Sequence, residues 1–363
     1  MKILRSKITY IVGAIMSLFA MSALTSCDDS FFENEGDCEV SHKIRFVYDM
    51  NLKWADAFPS EVNSVNLYVF DNNGRFVKEY TGRGEAINKP DYTITLDLPV
   101  GDYKFLAWCG LDNNTDNESF TVPQPVVGAT TLEEMTCALN TQKISVYSRS
   151  ASQEPIYSNE RIYFMYHGYL EATLEDNHDG SEYIYTINLT KDTNHFRIIL
   201  QELTGADLDP DDYALTIEDT NSVMNWDNSL GSDALITYEP WSQEVTEAGV
   251  GKLISGNELT YVKGLVVDMS SSRLMASHKT STMLTILNRK SGELIARVPV
   301  LEYALLSKKY YESAYGHQMT DQEFLDREDE YVMTFFLYNN RWMNSYIDIQ
   351  QWRIVLQDYE LGK

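Results

Sequence analysis

The chain has 363 residues, and its 54 Asp and Glu outnumber its 29 Lys and Arg, which gives a formal net charge of −25 at pH 7. This balance argues against nucleic acid as a partner, because phosphate contacts require clustered lysine and arginine. The length exceeds one ordinary core and favours two domains.

Residues 1–26 have the features of a lipoprotein signal peptide. Three basic residues precede an apolar run from Ile8 to Ala20, which is shorter than the roughly 20 residues of a membrane-spanning helix. The sequence LTSC, at 24–27, matches a bacterial lipobox, in which an apolar residue and two small residues precede the cysteine that takes lipid. We expect the mature chain to begin at a lipidated Cys27 and to continue as a tether over 27–41. The alternative is ordinary signal cleavage beside an incidental cysteine.

Removal of this leader takes three basic residues and no acidic ones, so the net charge changes from −25 to −28. No later apolar run approaches the length of a spanning helix. We therefore expect the protein to sit on a membrane surface through its lipid and not to cross the membrane.

An N-terminal β-sandwich is predicted over residues 42–145. Period-two alternation of apolar residues, which is typical of half-buried strands, occurs in five short runs: KIRFVYDM at 43–50, SVNLYVFD at 64–71, RFVKEY at 75–80, DYTITLDLP at 91–99 and DYKFLAWCGL at 102–111. Asp71 to Gly74 supply a hairpin turn between the second and third runs. The segment 146–160 is rich in Ser, Gln and Asn and is predicted to be the linker.

A second, C-terminal β-sandwich is predicted over 161–363. Alternating runs resume after residue 161, and Lys290 to Gly292 form the turn of a later hairpin. A helical insertion is expected near 301–329, where Thr320 and Glu323 have the spacing of a capping box. The predicted fold class is mainly β, with two tandem antiparallel sandwiches of transthyretin-like or Ig-like type.

Three cysteines follow Cys27, namely Cys38, Cys109 and Cys137. One disulfide among them is expected in an exported protein, with one thiol left over. The sequence does not choose the pair.

No catalytic motif is found. The six histidines lack an HExxH pattern, and the chain has no GxSxG elbow, P-loop or GxGxxG after a strand. His178 and His278 lie in polar intervals and are expected to be solvated surface residues. We expect a protein that is not an enzyme and that needs no cofactor and no metal.

An acidic segment has part of the spacing of a calcium loop. Asp207, Asp209, Asp211 and Glu218 occupy positions one, three, five and twelve, but Asp212 stands where the sharp turn needs glycine. Residues 212–219 also alternate like a strand. The segment is therefore interpreted as an acidic turn that leads into a strand, and a calcium site is the alternative.

Four tryptophans lie in or beside predicted loops: Trp54, Trp226, Trp241 and Trp342. Core or loop-anchoring positions are the favoured interpretation. Exposed indoles would instead stack on sugar rings, which keeps a surface glycan-binding lipoprotein as an alternative function.

Several separated motifs resemble, in order, the FimB/Mfa2 family of fimbrial subunits. They are the lipobox cysteine, Cys38 shortly after it, KIRFVYDMNLKWADAFPSEVNSVNLYVFDNNGRFV, LPVGDYKFLAWCGLDNNTDNESF, and the closing segment DQEFLDREDEYVMTFFLYNNRWMNSYIDIQQWRIVLQDYEL. The resemblance is strongest over 38–120 and 320–361. It implies two transthyretin-like sandwich domains, which agrees with the strand pattern.

The resemblance also implies a lipid-anchored accessory subunit at the base of a thin surface fimbria, attached to outer-membrane lipid through Cys27. Its partner would be the fimbrillin shaft subunit, joined by strand complementation, in which a strand of one subunit completes the sheet of the next. Such an anchor would end the polymer and limit its length. A fimbrial tip adhesin is a further alternative, but a lipid anchor would prevent a tip subunit from travelling outward.

Two segments are candidates for strand exchange. The run from Ile347 to Leu361 alternates and lies near the end of the chain, and it is the preferred candidate. The run from Lys43 to Met50 is the second, although an internal strand is favoured there.

Overall fold

The computed structural model describes residues 40–111, 119–143, 156–175, 181–231, 234–247, 252–254, 258–260, 263–349 and 352–356. It divides into two units. The smaller comprises residues 1–41 and 176–183, where the Ser41 N–H donates to the Ser181 carbonyl at 3.2 Å. The larger comprises residues 42–175 and 184–363 and contains the helices and cores discussed below, and all of the strands except the first residue of β1 and the first two of β11.

The protein is mainly β, as the sequence predicts. The strands of the first part of the chain are β1 (Ser41–Val47), β2 (Ser64–Asp71), β3 (Phe76–Arg83), β4 (Thr93–Leu96), β5 (Gly101–Cys109), β6 (Phe120–Thr121), β7 (Thr136–Leu139), β8 (Gln142–Lys143), β9 (Ile156–Ser158), β10 (Tyr166–Leu174), β11 (Glu182–Asn188) and β12 (Thr190–Lys191).

The later strands are β13 (Thr193–Glu202), β14 (Tyr213–Asp219), β15 (Val223–Asn225), β16 (Ile236–Tyr238), β17 (Ser242–Thr246), β18 (Lys252–Ile254), β19 (Glu258–Thr260), β20 (Gly264–Ser272), β21 (Met283–Asn288), β22 (Leu294–Pro299), β23 (Glu330–Tyr338), β24 (Arg341–Ile349) and β25 (Trp352–Leu356). The helices are α1 (Phe58–Glu61), α2 (Val300–Leu305), α3 (Lys308–Tyr315) and α4 (Asp321–Arg327).

A three-stranded sheet, β11-β1-β4, and a five-stranded sheet, β12-β10-β5-β2-β3, share one core. Alternate residues of β1, β2 and β5 fill it, among them Ile44, Leu67 and Phe105, each fully buried. The predicted hairpin is confirmed, because β2 pairs antiparallel with β3 and Gly74 sits in the turn at φ +73°. This φ favours glycine.

The other face of the five-stranded sheet contributes to a second core. Tyr68, Phe70, Leu106 and Trp108 point away from the first core and pack with the residues of the later strands. The sheet β12-β10-β5-β2-β3 therefore has a buried core on each face. This explains why every residue of β2 except the last is buried, whereas a strand with one solvated face would bury only alternate residues.

The three-stranded sheet β15-β7-β6 and two six-stranded sheets also contribute to the second core. The six-stranded sheets have the orders β17-β20-β13-β23-β24-β25 and β22-β21-β14-β16-β9-β8. The predicted hairpin at Lys290 to Gly292 is confirmed as the β21–β22 connection. Strand β23 pairs parallel with β13, and a parallel pair needs a long crossover connection.

Three short helices lie between β22 and β23, where the sequence predicts a helical insertion at 301–329. Helix α4 begins as expected, with the Thr320 hydroxyl accepting from the Glu323 N–H at 3.0 Å. The buried side chains of Leu301, Phe324 and Leu325 attach the helices to the second core. Within the part of the chain that the structure describes, no helix is long and apolar enough to cross a membrane.

The strand order differs from the domain boundary expected at 146–160. Strand β10 lies beyond it but pairs with β5 along its whole length, from Tyr166 opposite Cys109 to Leu174 opposite Gly101. Strands β8 and β9 already belong to a sheet of the second core, so the chain returns to the five-stranded sheet with β10 after that core has begun. An alternating pattern shows that a segment is a strand but not which sheet it joins. The segment of β10 was therefore predicted to belong to the C-terminal sandwich only because it follows residue 161.

Candidate functional site

Strand β25 forms one edge of a six-stranded sheet. It pairs antiparallel with β24, from Trp352 opposite Ile349 to Leu356 opposite Ser345, and it is the last strand in the sheet order. Among the described residues it has no neighbour on its other side. Such an edge carries backbone N–H and C=O groups that another strand can pair with.

The turn that places this hairpin is fixed by a buried carboxylate. Asn339 and Asn340 join β23 to β24 with φ of +51° and +61°, a region that asparagine tolerates better than most residues. Glu202, at the end of β13, accepts from their backbone N–H groups at 3.1 and 3.0 Å. The β23–β24 connection is therefore held by a strand next to it in the sheet.

The two predicted exchange segments have different surroundings. The segment from Ile347 to Leu361 is divided between the end of β24 and β25, and residues 350–351 and 357–361 lie outside the described residues. Strand β1, which contains most of the Lys43 to Met50 run, lies between β11 and β4. The sequence favoured an internal strand for this run, and β1 is the central strand of its sheet.

A buried ammonium joins three distant parts of the chain. Lys191 Nζ lies 2.8 Å from Glu61 Oε2 at the end of α1 and 2.6 Å from Asp329 Oδ2 just before β23. It also lies 4.2 Å from the centroid of the Phe164 ring. Burial disfavours the charged form, but the Asp329 carboxylate, Tyr166 and Tyr48 together outweigh burial and raise the pKa of Lys191 well above its usual range.

A second buried charge cluster adjoins the first in sequence. Asp192 is fully buried, accepts from Asn228 Nδ2 at 3.0 Å, and lies 3.6 Å from Arg273 Nε. Burial raises the pKa of Asp192 to about 7, although the Arg273 guanidinium acts in the opposite direction. Arg273 also pairs with Asp326 of α4 at 2.9 Å, so the cluster attaches the helical insertion to the strands.

The cysteine predictions have separate outcomes. Cys27 and Cys38 lie outside the described residues. Cys109 and Cys137 are free, fully buried thiols that belong to different cores, so no disulfide joins them. Burial raises the pKa of both thiols, which keeps them protonated and unreactive.

His278 is not the solvated residue that the sequence predicts. It is half-buried, and its Nδ1 lies 2.6 Å from Oδ1 of Asp219, a carboxylate that is itself buried at the end of β14. His178 lies outside the described residues. His167 is buried on β10 with its Nε2 2.7 Å from the Trp226 carbonyl, and burial lowers its pKa to about 4.

The acidic segment is an acidic turn that leads into a strand, as interpreted from the sequence. Residues Pro210–Asp212 form one turn of 3-10 helix, the Asp209 carboxylate accepts from the Asp211 N–H, and Glu218 follows within β14. Asp212 pairs with Lys290 at 2.6 Å. Across the described part of the chain, no group of three or more His, Cys, Asp or Glu is arranged to hold a metal ion.

The four tryptophans are anchored to neighbouring side chains. Trp54 is 39% exposed and the Arg327 guanidinium stacks 3.6 Å from its ring centroid. The Trp226 and Trp342 rings pack on Tyr169 and Phe335. Trp241 donates from Nε1 to Ser270 Oγ at 3.1 Å.

The described residues form a mainly β protein in which β25 is the last strand of its sheet. A model of the family described as fimbrillin-A associated anchor proteins Mfa1 and Mfa2 matches residues 34–358. The chain therefore belongs to this family of fimbrial anchor proteins, which confirms the resemblance found in the sequence. The family is structural and adhesin-like and is not an enzyme family.

A curated relative has the same family name. The minor fimbrium anchoring subunit Mfa2 of Porphyromonas gingivalis (strain ATCC 33277) is 22% identical over 235 residues, which are 64% of this chain and 65% of that protein. The match thus spans less than two thirds of the relative.

Solved structures share the fold. A candidate adhesin from Bacteroides thetaiotaomicron VPI-5482 matches with a TM-score of 0.72 at 29% identity, over 88% of this chain and 97% of that one. A candidate polysaccharide-binding protein from the same strain matches with a TM-score of 0.69 at 28% identity, over 88% and 99%. The fimbrial anchor protein Mfa2 from P. gingivalis matches with a TM-score of 0.59 at 15% identity, over 87% and 98%, which shows the fold alone.

Proposed function

We propose that this protein attaches a surface fimbria to the outer membrane through lipid on Cys27 and ends the polymer by strand complementation with the adjacent fimbrillin shaft subunit. Family membership supports the anchoring role. The observation that carries the complementation step is the edge position of β25: among the described residues, the backbone of Trp352–Leu356 pairs with β24 alone. Backbone pairing would supply affinity, and alternating side chains would fix the register.

The lipid part of the proposal rests on the LTSC sequence, and the acidic residues after the cysteine would favour display on the outer face of the envelope. Several acyl chains on one cysteine would hold it firmly, since each buried methylene contributes about 0.8 kcal/mol. The acidic Asp28 and Asp29, next to the lipidated residue, would form the start of the tether. A subunit held in this way would remain at the base of the fibre, which is why we prefer an anchor to a tip adhesin.

The complementation step is tested by single proline substitutions in β25. Successive residues of an antiparallel strand direct their N–H groups alternately to the neighbouring strand and to the open edge. We therefore compare Arg353→Pro, Ile354→Pro and Val355→Pro, and measure both the melting temperature and the binding of purified shaft subunit. Glu244→Pro in β17, at the opposite edge of the same sheet, is the matched control.

We expect at least one proline in β25 to weaken shaft binding while the melting temperature stays at the wild-type value, because it removes a donor from the open edge only. Glu244→Pro should leave shaft binding unchanged. If each folded β25 variant binds the shaft as the wild type does, this edge is not the site of complementation.

A further inference from the structure

Two adjoining cavities form one groove, which we call the Arg161–Trp241 groove after the two residues that line both. The first, of about 380 Å³, extends from these residues to Ser119, Asn159 and Tyr163. The second, of about 340 Å³, extends in the other direction along β13, β20 and β23. Together they make an elongated depression and not a single closed pocket.

The indole of Trp241 forms a fixed platform in this groove. Its backbone N–H donates to the Asp268 carbonyl at 3.1 Å and its ring N–H donates to Ser270 Oγ at 3.1 Å. Ser270 is buried in β20, so it holds the ring edge in place. A ring held in this way loses little conformational entropy when a ligand stacks on it.

Arg161 lies near this platform, and within the described residues its side-chain hydrogen-bond donors are unused. The guanidinium carbon is 5.5 Å from the Trp241 ring centroid and 6.0 Å from that of Tyr163. Within the described residues these ring contacts are its interactions, and no ion pair or hydrogen bond of the guanidinium is found. Arg161 is exposed and lines both cavities, so a group with five N–H donors lies at the groove.

The chain segment that carries Arg161 is tied at both ends. The Ser158 carbonyl accepts from the Glu239 N–H at 2.7 Å, and the Tyr163 N–H donates to Ser119 Oγ at 2.9 Å. Between them the Ile162 carbonyl lies 3.2 Å from Nε2 of His195. The groove is thus preformed by contacts with three other parts of the chain.

The rim of the groove offers both donors and acceptors. The side-chain oxygen of Asn159 accepts from Gln142 Nε2 at 3.3 Å, which leaves the amide N–H₂ of Asn159 as a donor. The neighbouring Glu160 is exposed and supplies a carboxylate. In the second cavity Arg197 and Asp268 pair at 2.7 Å and present polar atoms of both signs.

We propose that the Arg161–Trp241 groove binds a carbohydrate chain, with the apolar face of one pyranose ring on Trp241 and a hydroxyl or carboxylate group of the sugar on Arg161. An aromatic platform surrounded by side-chain donors and acceptors matches a ring with one apolar face and a hydroxyl-rich edge. An extended peptide is less suited to the second cavity, because the strands that line it, β13, β20 and β23, pair with one another and offer no free edge there. The inference goes beyond anchoring and does not depend on it.

The test is affinity electrophoresis of the detergent-solubilised full chain in gels that contain one polymer each. Polygalacturonate and hyaluronan carry carboxylates, and yeast mannan and laminarin are neutral, so the two arms separate acidic from neutral sugars. Arg161→Ala and Trp241→Ala are compared with Arg341→Ala and Tyr315→Ala, which remove an exposed arginine and an exposed tyrosine elsewhere. Trp241→Phe keeps an aromatic ring and serves as the conservative variant.

We expect at least one polymer to retard the wild type. Both alanine variants of the groove should weaken this binding by about tenfold or more, equivalent to 1.4 kcal/mol, while the two control variants bind normally. Trp241→Phe should retain part of the binding, and Arg161→Ala, at an exposed position, should keep the wild-type melting temperature. The proposal would be overturned if none of the four polymers retards the wild type. It would also be overturned if Arg161→Ala and Trp241→Ala are retarded as strongly as the wild type.

Discussion

Replacement of Lys191 by methionine tests whether the buried ammonium holds the two cores together. The variant keeps the length and most of the apolar stem of the side chain but removes its charge. The carboxylates of Glu61 and Asp329 then face each other without the cation that lies 2.8 and 2.6 Å from them. Their repulsion and incomplete solvation should destabilise the folded protein.

The size of the effect follows from the exposure of the partners. Removing one member of a buried ion pair costs about 3–5 kcal/mol when the remaining charge is fully buried. The side chains of Glu61 and Asp329 are 30% and 23% exposed, so water stabilises part of their charge and the lower end of that range applies. We expect a loss of about 3 kcal/mol, which at about 2 °C per kcal/mol lowers the melting temperature by about 6 °C.

A matched control is the pair of Lys78 and Asp97, whose atoms also lie 2.6 Å apart but whose side chains are 42% and 69% exposed. Lys78→Met should leave the melting temperature almost unchanged, because exposed ion pairs contribute little. Calorimetry of both variants at pH 7 is the assay. If Lys191→Met melts no lower than Lys78→Met, the buried ammonium does not contribute the stability assigned to it.

Three further predictions concern buried groups. His167 stays neutral in the folded protein because burial lowers its pKa to about 4. In the unfolded chain the same side chain binds a proton near pH 6.5. Up to about 3 kcal/mol of stability should therefore be lost as the pH falls from 6.5 toward 4. His167→Gln should remove this component from urea titrations at pH 7 and 4.5, and an unchanged pH dependence would contradict it. Gly110→Ala should prevent folding or lower the melting temperature strongly, since a Cβ there would lie 2.1 Å from the Phe164 carbonyl oxygen. Gly128→Ala is the control: its Cβ would meet nothing within 4 Å, so it should cost only the strain of an alanine at positive φ. Cys109 and Cys137 should resist iodoacetamide in the native protein and react in guanidinium, as peptide mass spectrometry would show; native labelling of either would contradict their burial.

Local features of this fold were predictable because they depend on neighbouring residues. The SVNLYVFD run coincides with β2, and the Thr320 cap begins α4 where the capping-box spacing placed it. Each depends on side-chain alternation or on residues a few positions apart. Such features can be predicted from the residues of a single segment, without knowledge of the rest of the chain.

Contacts between distant segments were not predictable. Lys191 is 130 residues from Glu61 and 138 from Asp329 in the chain, and nothing in the sequence around it indicates a buried ammonium. The pairing of β10 with β5 was missed for the same reason. The Arg161–Trp241 groove also joins residues of separate segments, although the sequence did identify Trp241 as one of four tryptophans beside loops.

The central claim, that lipid on Cys27 fixes a fimbria to the cell, is tested most directly by Cys27→Ala in the native organism. Electron microscopy would count the fimbriae bound to cells and those shed into the medium, and would measure the lengths of both. Ser26→Ala, which keeps a small residue before the cysteine, is the control. We predict that Cys27→Ala sheds its fimbriae or lengthens them while Ser26→Ala resembles the wild type; cell-bound fimbriae of normal length on Cys27→Ala would contradict the account.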